Sequence, residues 1–139
     1  MKNIFFVSIA SLLFLACPAP RECSIHFDLN KSFSLDHGAT ACAPDDKGLS
    51  IRFDSVSGDS RCPQGVQCIW AGRADAVLTL THAGVSQKST LSTGDFSQGG
   101  AGETTFSGFT VKLENVEPPA IQGQKIEQKD YKVRLVVTQ

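Results

Sequence analysis

The chain has 139 residues, of which 41% are apolar, 8% aromatic and 19% charged; such a length and apolar content suit one domain with a real core. Thirteen Lys and Arg stand against fourteen Asp and Glu, a net charge of −1 with no block of like charge. That balance argues against a nucleic-acid footprint or a polybasic membrane patch, and the regular apolar runs argue against intrinsic disorder.

Residues 1–17 read MKNIFFVSIASLLFLAC. Lys2 gives a short positive start, and Ile4 to Ala16 form an apolar stretch of thirteen residues, whereas a membrane-spanning helix needs about 20. The pattern predicts a secretory signal peptide over residues 1–16. A type I signal peptidase requires small side chains one and three positions before the cut. Phe14 spoils a cut after Ala16, and Pro20 spoils one after Ala19. Leu15-Ala16-Cys17 instead resembles the lipobox of bacterial lipoproteins, whose cysteine is acylated and becomes the mature N-terminus. The resemblance implies lipid on Cys17, a membrane partner through that anchor, and a chain facing the periplasm or the exterior. Loss of Lys2 with the leader leaves twelve cations against fourteen acids, a net charge of −2. Pro18, not Asp, follows Cys17, which by the same resemblance implies the outer membrane. A soluble secreted protein is the alternative. Residues 17–31, with Pro18 and Pro20, read as the lipidated cysteine and a short linker.

Apart from Cys17, the cysteines are Cys23, Cys42, Cys62 and Cys68. An even number in an exported chain reads as two disulfides, and four cysteines leave three pairings open. Between Cys62 and Cys68, Pro63 and Gly65 favour a turn that brings the two sulfurs together. The favoured pairing is therefore Cys62–Cys68 with Cys23–Cys42. On the chain-entropy model the two loops contribute roughly 2–2.5 and about 3 kcal/mol. A pinned Cys23 leaves only Pro18 to Glu22 as free tether, at most about 15–18 Å long. A metal centre is a rival reading, but zinc ligands pair at closer spacing than Cys62 and Cys68, and His26, His37 and His82 are scattered. There is no C-x-x-C for thioredoxin-like redox chemistry. Neither metal nor cofactor is expected.

From residue 32 the pattern is strand-like. Ser32 to Leu35 alternates and turns at Asp36-His37-Gly38. Leu49-Ser50-Ile51-Arg52-Phe53-Asp54 alternates cleanly, and Val56 breaks the phase, which predicts a bulge or a strand end before Gly58-Asp59. Ala74, Ala76, Leu78 and Leu80 share one face, and His82-Ala83-Gly84 closes a hairpin that returns through Val85 to Leu91. The glycines from Gly94 to Gly102 mark a flexible loop, because the Lys-Ser/Thr of a phosphate loop is missing. Phe109, Val111 and Leu113 alternate up to Glu117-Pro118-Pro119, and Lys125 to Asp130 allows one short turn. Tyr131, Val133, Leu135 and Val137 share one face of a final strand. No window has a helical period. Six to eight strands predict a single all-β domain over residues 32–139: an antiparallel β-sandwich, immunoglobulin-like in shape and disulfide-braced. A closed barrel is the alternative.

Asp59-Ser60-Arg61-Cys62-Pro63-Gln64-Gly65-Val66-Gln67-Cys68-Ile69-Trp70-Ala71-Gly72 is the most distinctive stretch. It resembles the DSRCP-x-x-V-x-C-x-W-A-G signature of small bacterial exported proteins, a group mostly without assigned activity. The resemblance supports the architecture and implies no mechanism. On a regular strand Cys68 and Trp70 point the same way, so Trp70 is expected to pack on the disulfide inside the core. The functional alternative is an exposed Ile69 and Trp70 rimmed by Arg61 and Arg73, with Gln64 and Val66 on the loop, as a protein or glycan contact. Arg61 and Arg73 are expected to pair with Asp59 and Asp75.

No G-x-S-x-G, H-E-x-x-H or dinucleotide fingerprint is present. The three histidines read as isolated surface residues, and Asp45-Asp46 as solvated loop acids. No catalytic residue is assigned, and the chain reads as a non-enzymatic binding or structural protein of the cell envelope. Its expected partners are the membrane and another envelope protein or glycan. The alternatives are an inhibitor-like protein whose Cys62–Cys68 loop enters an enzyme cleft, and a metal binder using Cys and His.

Overall fold

The computed structural model describes residues 22–94, 96 and 99–139; the leader, Cys17 and the first part of the expected linker lie outside them. The described residues form β1 (Ile25–His26), β2 (Ser32–Asp36), β3 (Thr40–Cys42), β4 (Leu49–Asp59), β5 (Ala74–His82), β6 (Val85–Ser92), β7 (Glu103–Phe106), β8 (Phe109–Glu117) and β9 (Lys132–Thr138). A 3-10 turn at Gln128–Asp130 falls inside the segment read as one short turn.

Two sheets stack as a sandwich, one in the order β1-β3-β4-β5-β6 and the other in the order β2-β9-β8-β7. All neighbours are antiparallel except β1, which runs parallel to β3. The alternation read from the sequence sets the layers. Ile51, Phe53, Ala76, Leu78 and Leu80 of the first sheet face Val111, Val133, Leu135 and Val137 of the second, all buried. Full burial of such side chains stabilises by about 1.5–3 kcal/mol each.

The phase break at Val56 is a bulge: the β4–β5 register shifts between Phe53 and Ser55 and again between Val56 and Gly58. A bulge strands backbone groups, and the Gln128 side chain satisfies them. Its carbonyl oxygen accepts the Val56 N–H at 2.9 Å, and its amide donates to the Val56 C=O at 2.8 Å.

Both disulfides are present in the expected pairing, Cys23–Cys42 and Cys62–Cys68, with Cα–Cα distances of 5.7 and 5.9 Å. The first moves the start of the domain. Residues 17–31 read as linker, yet β1 joins the sheet, Phe27 is buried, and its ring stacks on Phe33 at 4.4 Å. The sandwich therefore begins at Cys23, not Ser32, because the bridge to Cys42 and the β1–β3 ladder draw this segment in.

Strands β4, β6 and β8 end, and β5, β7 and β9 begin, at one end of the sandwich. The long connections 60–73, 93–102 and 118–131 gather there. The opposite end carries the short turns 43–48, 83–84 and 107–108.

Candidate functional site

The loop-bearing pole is built around residues 60–73. Pro63 accepts the Val66 N–H at 3.2 Å across a turn whose third residue, Gly65, has φ +78, the geometry that favours glycine. The limbs of the loop are joined by the Ser60 N–H to Arg73 C=O and the Cys62 N–H to Ala71 C=O, both at 2.8 Å. Gly72 is required at its position. Its φ is +67, and an added Cβ would lie 1.8 Å from the Ser60 carbonyl oxygen. The disulfide ring leans on the β8–β9 loop: the Gln64 N–H donates to Ala120 C=O at 2.8 Å, and Gln64 bridges Ile121.

Arg61 fastens this loop to the second sheet. Its Nε and Nη2 donate to the two carboxylate oxygens of Asp59 at 2.9 and 2.6 Å. The guanidinium also donates to Val116 C=O, and to Pro118 C=O at 2.9 Å. The Tyr131 hydroxyl donates to Asp59 at 3.0 Å. Burial pushes the Asp59 carboxyl up, but the hydrogen bonds and charge of Arg61, with help from Tyr131, outweigh it and hold the carboxyl below its ordinary value. Tyr131 is pushed up by burial and by the same carboxylate. Arg73 pairs with Asp75 at 3.2 Å and donates to Gly99 C=O, tying the 93–102 loop to the pole. The expected Asp59–Arg61 and Arg73–Asp75 pairs both form.

Trp70 is not in the core. It is 71% exposed and Ile69 is 92% exposed. The expectation of a Trp packed on the disulfide assumed a regular strand through residues 68–72, whereas β5 begins only at Ala74. Among the described residues, the other large apolar side chains left exposed are Phe96 and Ile121 at this pole and Val85 at the other. Of the residues read as a contact surface, Trp70 and Gln64 are exposed and Val66 is half-buried, while Arg61 and Arg73 are taken up in structural pairs.

Beside the disulfide ring lies an open groove of about 470 Å³, lined by Arg61, Gln64, residues 115–119, Asp130 and Lys132. Three of its charged side chains are paired: Arg61 with Asp59 at 2.6 Å, Glu117 with Arg134 at 2.8 Å and Lys132 with Asp36 at 2.9 Å. The His37 N–H donates to the Tyr131 C=O at 3.1 Å at the loop-bearing end, while His82 lies at the opposite end. The two histidines are half-buried against Phe53 and Phe109, at 5.9 and 5.6 Å between ring centres, and not the surface residues the sequence implied. Among the described residues no three His, Cys, Asp or Glu side chains gather in a way that could hold a metal ion, and no helix is long and apolar enough to cross a membrane.

Sequence reading missed Tyr131 and Gln128 as polar partners. Tyr131 left a usable signal, since a buried phenol needs an acceptor. Gln128 left none, because its role depends on where the bulge falls. Compared with protein-family models, with curated proteins and with solved structures, the chain gives no match.

Proposed function

We propose that the chain is an exported envelope protein, anchored by lipid on Cys17, that acts as a non-enzymatic binding module through its loop-bearing pole. Two disulfides in a small β domain are consistent with a location outside the cytoplasm. Outer-membrane placement follows from the lipobox resemblance and Pro18.

One observation carries the binding reading. Ile69 and Trp70 face solvent side by side on a loop that a disulfide and backbone hydrogen bonds hold in shape. Large exposed apolar side chains cost solubility unless something covers them, Trp is over-represented at the energetic centre of interfaces, and a pre-ordered loop loses little entropy on binding. The sheets supply the rigid frame on which such loops work.

The reading is tested in the protein's own cells. Cys17→Ser is expected to release the chain from membranes. A photoreactive side chain at position 70 is expected to give adducts, while one at Lys88 on the polar edge strand β6 gives none. A membrane fraction unchanged by Cys17→Ser contradicts the anchor, and equal adducts from both positions contradict the binding pole.

A further inference from the structure

We propose that Asn30 is the acceptor of an N-linked oligosaccharide, attached during export at the end of the sandwich opposite the loop-bearing pole. The proposal rests on the reading of the chain as exported. Of the three asparagines, Asn3, Asn30 and Asn115, only Asn30 has a hydroxyl side chain two residues on, in Asn30-Lys31-Ser32. That triplet, with no Pro at its centre, is the acceptor pattern for N-glycosylation. The bacterial form of the pattern extends to an acid two residues before the Asn, and Asp28 stands there.

An acceptor must sit on an accessible surface loop, and the structure supplies one. Residues 27–31 join β1 to β2, and Asn30 is exposed there with φ 63, a left-handed geometry that Asn adopts more readily than most residues. Its backbone N–H donates to the Val137 C=O at 2.8 Å. That bond fixes the backbone, while among the described residues the side-chain amide has no partner. Asp28 pairs with Lys31 at 2.9 Å and Ser32 donates to Glu114 at 2.6 Å, both in exposed contacts, which hold weakly and yield to a competing partner.

The topology also gives a transferase time to act. β2 is an edge strand whose one sheet neighbour is β9, with Ser32 opposite Val136. Because β9 is the last strand, residues 28–32 cannot complete their pairing until the end of the chain has been exported. The donor is a polyprenyl-diphosphate oligosaccharide held at the membrane. The Asn30 side-chain nitrogen bonds to the anomeric carbon, that carbon's bond to the diphosphate oxygen breaks, and the amide gives up one proton to solvent as the polyprenyl diphosphate leaves. In the folded chain Val137 lies opposite Val111 on β8, next to the turn 107–108. The sugar therefore stands at the far end of the sandwich from the Ile69–Trp70 tip and leaves the pole uncovered.

The full-length chain is expressed in its own host, and the mature protein is purified from the envelope, reduced and digested with trypsin. Cleavage after Arg21 and Lys31 isolates residues 22–31, so sugar on Asn30 is weighed apart from lipid on Cys17. The expected result is an oligosaccharide mass on that peptide, located on Asn30 by electron-transfer fragmentation. Asn30→Asp and Ser32→Ala each abolish it and Ser32→Thr keeps it, with all three variants exported and both disulfides formed. A bare Asn30 in an exported, disulfide-bonded chain overturns the proposal and leaves the export reading standing. Sugar that persists in Ser32→Ala, or that sits on Lys31, also overturns it. A chain retained in the cytoplasm with free thiols overturns the export reading and the proposal together.

Discussion

Arg61→Ala probes the joint between the disulfide loop and the second sheet. The guanidinium holds both oxygens of Asp59 and the carbonyls of Val116 and Pro118. The side chains of Arg61 and Asp59 keep only 14% and 13% of their accessibility, which places the pair nearer to a buried bridge than to a surface one. A surface pair contributes about 0–1 kcal/mol, whereas breaking a fully buried one costs about 3–5 kcal/mol. Truncation also leaves two carbonyls without this donor, each costing about 1 kcal/mol or more where water cannot reach. The expected loss is about 2–4 kcal/mol, or about 8–16 °C in Tm for a domain of this size. Urea unfolding of the non-reduced protein, followed by circular dichroism, measures it. Arg61→Lys should recover less than half of the loss, since an ammonium cannot span both carboxylate oxygens and the carbonyls together. A loss under about 1 kcal/mol with an unchanged m-value refutes the clamp.

The same site gives stability an acid limb. Because the folded-state carboxyl of Asp59 lies below its ordinary value, its contribution is complete above the ordinary carboxylate range and is lost as pH falls through the folded value. Asp59→Asn should flatten that limb in pH-dependent unfolding; an identical limb in the variant contradicts the assignment. Gly72→Ala should cost about 3 kcal/mol or more through left-handed strain and collision with Ser60, and a neutral result in thermal denaturation contradicts the close approach. Opening Cys62–Cys68 by paired Ser substitution should cost about 2–2.5 kcal/mol, and opening Cys23–Cys42 about 3 kcal/mol, both read from denaturant midpoints. Ile69→Asp should change stability by no more than about 0.5 kcal/mol, given the 92% exposure of Ile69; a larger loss would mean that the tip is packed.

What was legible in the sequence was what period and pairing chemistry control. The long strands β4, β5, β8 and β9 carry enough alternating residues to reveal a buried face, and Val56 betrayed its bulge by falling out of phase. The disulfide pairing followed from the turn residues between Cys62 and Cys68. The short strands β1, β3 and β7 were not legible, since two to four residues cannot establish a period. β1 is held by partners distant in sequence: a ladder to β3 and the bridge to Cys42. Trp70 failed for a different reason. The rule that residues two apart share a face applies inside a strand, and Gly72, with φ +67, belongs to a loop that does not obey it. Between Asp59 and Gly72, Asp59, Arg61, the two cysteines and Gly72 have structural duties, whereas Ile69 and Trp70 stand exposed.

The central claim is an exported chain, acylated at Cys17 and braced by two disulfides. The intact, non-reduced mass of the mature protein from its own host's membranes tests it most directly. The account predicts a chain starting at Cys17, a mass increment for lipid, and the four missing hydrogens of Cys23–Cys42 and Cys62–Cys68. A lipid-free mass contradicts the anchor and makes the protein a soluble secreted one. Four free thiols contradict the bracing and return the cysteines to metal or redox chemistry.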